Sequence, residues 1–260
     1  MRRKLLVANW KMNGSLDLCR RMFPALIDVA RNQPEMVICP PTLHIAETVR
    51  HASGTRVRWG VQNVSEKAAG AITGEVSVPM AHEMGCAYAI VGHSERRALF
   101  GESDALVAEK VQACLFHHIT AITCVGETLA ERQAGQTFSV LSRQLRPLLE
   151  RFDNDAWRHI VIAYEPVWAI GTGESAQPEQ IAQVMRFIRH FSDAAHAGLG
   201  QSMSLLYGGS VRPDGAEHIF QSEDVDGALV GGASLDVESW LAIYQAACRS
   251  YDLDGLQQAA

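Results

Sequence analysis

Three side chains capable of chemistry stand just beyond short apolar runs in this sequence. Lys11 follows Leu5-Leu6-Val7-Ala8 by way of Asn9, His93 follows Ala87-Tyr88-Ala89-Ile90-Val91, and Glu165 follows Ile160-Val161-Ile162-Ala163-Tyr164. Two glycine pairs hold the same kind of position. Gly208-Gly209 lies between Met203-Ser204-Leu205-Leu206-Tyr207 and Ser210, and Gly231-Gly232 follows Gly227-Ala228-Leu229-Val230. Carboxylate and imidazole suit proton transfer near neutral pH, and a lysine supplies positive charge. Consecutive glycines let backbone N–H groups approach an anion closely. Singly, each has a plain alternative: a satisfied loop histidine, a solvated rim carboxylate, a surface lysine, a glycine turn. Jointly they need an architecture that gathers five segments at one place.

The apolar runs themselves supply that architecture. Eight occur: the five segments' neighbours just named, with Met36-Val37-Ile38-Cys39, Val57-Arg58-Trp59-Gly60-Val61 and Thr120-Ala121-Ile122-Thr123-Cys124-Val125 completing the set. Most are apolar on both faces, as strands of a covered parallel sheet must be. Helical patterns separate several of them. Ile181, Val184, Met185, Ile188 and Phe191 form one stripe over 180–191, with Pro178 in the first turn. Leu106, Val107, Val111, Cys114 and Leu115 do the same over 104–117, with Ser103 as N-cap. A helix over 235–247 buries Trp240, Leu241 and Tyr244, capped by Ser234 or Asp236, and the first helix, over 16–30, carries Pro24 inside it and is expected to kink or break there. Spread over 260 residues, eight units average about 32 residues each, a comfortable βα length. The fold class is therefore α/β, a single closed (β/α)8 barrel spanning residues 1–260 as one domain, and its site lies beyond the C-terminal ends of the strands. An open doubly wound sheet is the runner-up, but Asn9-Trp10-Lys11-Met12-Asn13-Gly14 is no dinucleotide fingerprint.

Composition removes other classes. With 47% hydrophobic and 20% charged residues the chain has matter for a large core, and a net charge of -6 argues against nucleic acid or an anionic membrane as partner. No apolar run approaches the length of a membrane span, and Lys11 interrupts the one that follows the basic start, so a soluble, cytoplasmic protein is expected. The six scattered cysteines contain no C-x-x-C pair and read as buried free thiols.

Glycine pairs after the last two strands predict a phosphate on the ligand. The absence of a P-loop disfavours a nucleotide triphosphate, and no cluster of ligating side chains suggests a metal. Chemistry without metal or cofactor on a small phosphorylated molecule points to proton abstraction beside a carbonyl. Glu165 would be the base, with His93 and Lys11 stabilising the developing oxyanion.

The segments Asn9-Trp10-Lys11, Gly92-His93-Ser94-Glu95-Arg96-Arg97, Tyr164-Glu165-Pro166-Val167-Trp168-Ala169-Ile170-Gly171-Thr172-Gly173, Tyr207-Gly208-Gly209-Ser210 and 227–235 resemble the triosephosphate isomerase family. The resemblance runs from the first strand to the last helix. It implies a TIM barrel that interconverts dihydroxyacetone phosphate and D-glyceraldehyde 3-phosphate through an enediolate, with no cofactor. Glu165 then moves the proton, neutral His93 acts as electrophile, and Lys11 supplies charge. Asn9 helps hold the substrate, and Glu95 orients Lys11. Backbone N–H groups of Gly171, Ser210, Gly231 and Gly232 bind the phosphate, while Ile170 and Leu229 roof the carboxylate. Segment 166–176 is the implied lid, and Glu174-Ser175-Ala176 stands where the family often carries Lys-Thr-Ala. The region from Gln62 to Glu75 resembles the family's dimer loop, with Ile72 where an aromatic residue is frequent and Val78-Pro79-Met80-Ala81 also unusual. A homodimer is expected, Thr73 reaching toward the partner's Asn9, Lys11 and His93. Another phosphosugar barrel enzyme and a non-catalytic barrel are the competing readings; the presence together of Asn9, Lys11, His93 and Glu165 disfavours both.

Overall fold

The computed structural model describes residues 2–31, 34–170 and 176–257. Within them eight parallel strands close into a barrel in sequence order: β1 (Leu5–Asn9), β2 (Glu35–Cys39), β3 (Arg58–Val61), β4 (Tyr88–Val91), β5 (Thr120–Val125), β6 (Ile160–Tyr164), β7 (Ser204–Tyr207) and β8 (Gly227–Val230). The last strand pairs with the first, Leu6 opposite Ala228 and Ala8 opposite Val230, which excludes an open sheet. Each strand lies within a residue or so of the apolar run that announced it.

Alternation along the strands makes two cores. Leu5 and Val7 of β1 face inward with Val37, Cys39, Ile90, Ile122, Cys124, Val161, Ala163, Leu206 and Leu229. Leu6 and Ala8 turn outward and meet the surrounding helices, as do Met36, Ile38, Leu205 and Val230. All these side chains are buried, so the strands are apolar on both faces because both faces are covered. Gly227 belongs to this geometry: its φ is +145°, and a Cβ there would lie 1.7 Å from the carbonyl oxygen of Leu5.

The helices follow their stripes. Helix Pro178–Ala195 starts on Pro178 and buries Ile181, Val184, Met185 and Ile188, while Phe191 is only partly covered. Helix Asp104–Phe116 is capped by the Ser103 hydroxyl, which accepts from Leu106 N at 3.2 Å. Two expectations need correction. Helix Leu16–Ile27 runs through Pro24 without the break that is one of the two outcomes expected there, and it ends at Ile27, short of the expected residue 30. Proline removes a single ladder bond, and the fully buried Met22, Phe23 and Leu26 hold the segment in place on both sides of it. The last helix begins at Val237, two residues late, because Gly232–Leu235 forms a 3-10 turn first; Asp236 is its cap, accepting from Ser239 N at 2.9 Å. None of the six cysteines forms a disulfide among the described residues, and all but Cys248 are buried.

Candidate active site

The C-terminal ends of β1, β4, β6, β7 and β8 meet around one cavity of about 350 Å³. Asn9, Lys11, His93, Glu165, Ile170, Ser210, Leu229, Gly231 and Gly232 all line it. Gly171 and residues 172–175, including Glu174 of the trailing hinge, lie outside the described residues.

His93 is positioned by backbone chemistry. Gly92 turns the chain with φ +67°, and a Cβ there would lie 2.6 Å from Val107 Cγ2. His93 then caps the short helix Ser94–Phe100, its Nδ1 accepting from Glu95 N at 3.2 Å. A nitrogen that accepts cannot also carry the proton, so the neutral ring carries it on Nε2. Nε2 lies 2.8 Å from Glu165 Oε1. Oε1 thus faces the imidazole, while Oε2 accepts from Ser94 N at 2.8 Å.

Both groups are buried, and their titrations are linked. Burial pushes the Glu165 carboxyl up, but the charge of His93, the Ser94 N–H and the more distant Lys11 prevail, and its pKa lies below the ordinary value. Burial pushes His93 down, but the Glu165 carboxylate outweighs it, and the imidazole lies above its ordinary value. That upward push depends on the carboxylate staying beside the ring. A ligand that draws Glu165 away leaves burial, Lys11 and the helix N-terminus favouring the neutral ring, opposed by the Glu95 carboxylate, whose Oε2 lies 3.6 Å from Nδ1.

Lys11 occupies a left-handed backbone conformation, φ +51°, that a non-glycine residue seldom adopts. Two side chains hold it there: Asn9 Oδ1 accepts from Lys11 N at 3.0 Å, and Gln62 Nε2 donates to the Lys11 carbonyl at 2.9 Å. The turn aims Lys11 Nζ at Glu95 Oε1, 2.6 Å away. With its oxygen engaged, Asn9 has its amide N–H donors left to offer a ligand.

Gly208 and Gly209 serve close approach rather than a left-handed backbone, whereas Gly231 takes φ −86° and ψ −114°, away from the usual helical and extended regions. None of Gly208, Gly209, Gly231 or Gly232 has a positive φ. A Cβ on Gly208 would lie 2.9 Å from Glu165 Cγ, one on Gly209 would lie 2.2 Å from the Tyr207 hydroxyl, and one on Gly231 would lie 3.4 Å from Lys11 Cε. At Gly208 and Gly209 the missing side chain is what the packing needs; Gly232 meets nothing within 4 Å and opens the 3-10 turn Gly232–Leu235, so the turn reading holds there.

Several contributors escaped the sequence. Gln62 was assigned only to the dimer loop, yet it also donates to the Cys39 carbonyl at 2.9 Å and so ties β1 to β2 behind Lys11. Glu127, fully buried just past β5, accepts at Oε1 from the Tyr164 hydroxyl, Trp168 Nε1 and Arg132 NH1, each at 3.1 Å. Its carbonyl accepts from Val167 N at 3.1 Å, so this one residue pins the start of the 166–176 segment. Glu127 follows β5 much as Glu165 follows β6, and the strand-end rule would have found it. Arg97 braces the turn at His93, donating to the Gly92 carbonyl at 2.8 Å and to Asp104 Oδ1 at 2.6 Å. Arg212, two residues beyond Ser210, also lines the cavity.

A closed (β/α)8 barrel with a carboxylate–imidazole pair, a lysine and glycine-edged loops at its C-terminal mouth defines an enzyme of acid–base chemistry. Comparison with known proteins narrows the class. The sequence model of the family "Triosephosphate isomerase" matches residues 4–247. The triosephosphate isomerase of Ralstonia nicotianae is 48% identical over 245 residues, covering 94% of this chain and 99% of that one. Those of Alcanivorax borkumensis and of an Azoarcus species are also 48% identical, over 246 and 249 residues, covering 95% of this chain and 99% and 100% of theirs. The chain belongs to the triosephosphate isomerase family.

Proposed function

We propose that Glu165 is the base that carries a proton between C1 and C2 of a triose phosphate, interconverting dihydroxyacetone phosphate and D-glyceraldehyde 3-phosphate as an aldose–ketose isomerase of glycolysis and gluconeogenesis. The observation that carries this reading is the Glu165–His93 pair, a buried carboxylate with one oxygen 2.8 Å from an imidazole Nε2, on the wall of the strand-end cavity. A substrate carbonyl beside Nε2 takes the place that Oε1 holds in the free protein. Glu165 then turns to the carbon, takes its proton and leaves an enediolate, whose negative oxygen is met by the Nε2–H of His93 and the charge of Lys11. Returning the proton to the neighbouring carbon, while the hydroxyl proton passes from one enediolate oxygen to the other beside Nε2 of His93, completes the isomerisation. Protons then balance within the substrate and these side chains, and no oxidant or reductant is consumed.

Glu95 positions Lys11, and Asn9 holds the substrate. Ser210, Gly231 and Gly232 give backbone N–H groups to the phosphate, with Gly171 of the lid assigned the same role on the resemblance alone. Ile170 and Leu229 keep water from the carboxylate. A coupled assay from glyceraldehyde 3-phosphate in metal-free buffer tests the activity. Glu165→Asp tests the base: withdrawing the carboxylate by one C–C bond lowers turnover on the order of 10²-fold or more, and near-normal turnover refutes the assignment.

We further read residues 1–260 as one domain and the protein as a cytoplasmic homodimer. Support for the dimer comes from the apolar side chains exposed beyond β1 to β4, namely Met12, Leu43, Ile72, Leu99 and Phe100. Ile72 lies on an exposed loop, 67–75, closed at its neck by a bridge between Ser65 and Ser77. Free buried thiols suit a reducing compartment. Neither nucleic acid nor membrane is a partner in this reading, and among the described residues no helix is long and apolar enough to cross a membrane.

A further inference from the structure

Of the residues that line the active-site cavity, Lys11 and Arg212 carry fixed positive charge. Lys11 is already matched by Glu95 at 2.6 Å. The Glu165 carboxylate lies in the same cavity, so a dianionic substrate meets a mouth whose lysine is largely countered. Arg212 is different: it is exposed and has no ion pair or side-chain hydrogen bond among the described residues. It stands two residues past Ser210, on the wall assigned to the phosphate. Ser210 and Arg212 also border a neighbouring cavity of about 310 Å³, beside the start of helix Pro178–Ala195. Asp214, the nearest carboxylate in sequence, lines that second cavity and not the active one.

We propose that Arg212 is a second cationic contact for the substrate phosphate, one that governs capture rather than the proton transfer. This rests on the assignment of the Ser210 and Gly232 wall to the phosphate. A guanidinium presents paired N–H donors that match two phosphate oxygens, and it stays charged at every working pH. From an exposed position its pull on an incoming dianion is strongest at low salt and fades as ions screen it. The carbon that loses its proton lies at the other end of the substrate, next to Glu165, so Arg212 contributes equally before and during proton transfer.

The test compares the full-length protein with Arg212→Gln and Arg212→Lys in the coupled assay from low to high ionic strength. Inorganic phosphate serves as a competitive inhibitor, and D-glyceraldehyde, which lacks the phosphate, is followed by deuterium uptake from heavy water. Arg212→Gln is expected to lower kcat/KM about fivefold at low salt, the upper end for an exposed ion pair, with kcat unchanged and the deficit shrinking as salt rises. Its inhibition constant for inorganic phosphate rises by the same factor, deuterium uptake by D-glyceraldehyde stays as it was, and Arg212→Lys recovers most of the loss. Unchanged kcat/KM and unchanged phosphate inhibition at low salt overturn the proposal, as does a loss confined to kcat. Lys11→Ala separates the two levels of inference. If it is crippled while Arg212→Gln is normal, only the role of Arg212 falls; if both are normal, the phosphate site itself is misplaced.

Discussion

Replacing Gly208 by alanine probes the site without touching any ionisable group. The backbone there has no positive φ, so an alanine is spared the left-handed penalty. What it meets is Glu165: the added Cβ would stand 2.9 Å from Glu165 Cγ and 3.1 Å from the Tyr164 carbonyl oxygen. Carbon atoms rest comfortably about 3.5–4.0 Å apart, so Cγ must retreat by roughly 0.6–1.1 Å or the strands must spread. The Tyr164 carbonyl belongs to the ladder, accepting from Gly208 N at 2.7 Å, and it yields less readily than a side chain. The carboxylate therefore moves. A displacement near 1 Å in a reacting group costs on the order of 10²-fold, equivalent to about 2.7 kcal/mol on the barrier. Overpacking of this kind lowers stability by about 1–3 kcal/mol, which thermal unfolding reads separately. Gly208→Ala should thus reduce kcat on the order of 10²-fold while leaving KM within a few-fold, since the phosphate wall is not disturbed. A folded variant with kcat near that of the unaltered protein would show that the close approach of Gly208 to Glu165 has no bearing on the chemistry.

Two further outcomes follow from the same geometry. In Glu165→Gln burial and Lys11 remain to lower His93, while the larger of the two carboxylate charges that lift it is gone and only Glu95 is left. The imidazole should then titrate below its position in the unaltered protein. In ¹⁵N NMR near pH 7 the variant should be neutral, with the proton on Nε2; an equally elevated titration in both proteins contradicts the origin assigned to the shift. Light scattering at working concentration should report twice the chain mass, and a fully active monomer refutes the dimer.

Legibility in the sequence followed how local the signal was. The strands were readable because both their faces are buried, so each appears as a dense apolar run with polar or glycine residues at its end. The helix over Pro178–Ala195 was readable because its stripe and its first-turn proline agree. Pro24 misled because a local rule was outweighed by Met22, Phe23 and Leu26, whose burial is visible only once the barrel exists. In the site, the strand-end positions of Lys11, His93 and Glu165 were recoverable from order alone. The work of Gln62 was not: its amide binds carbonyls of Lys11 and Cys39, 51 and 23 residues away, and nothing local marks such a partner. The glycine pairs were legible, but what separates them was not: Gly208 and Gly209 are needed for the absent Cβ, while Gly232 opens a turn, and only neighbouring atoms reveal the difference.

The left-handed turn at Lys11 has an implication for protein engineering. A lysine at φ +51° sits about 1 kcal/mol or more above a relaxed residue, held there by Asn9 and Gln62. Glycine or asparagine would sit in that conformation at ease, so a selection for thermal resilience that ignores turnover will drift toward them at position 11. Improvement by melting temperature and improvement by catalysis thus pull in opposite directions at this residue, and a library built for hardiness should keep position 11 fixed.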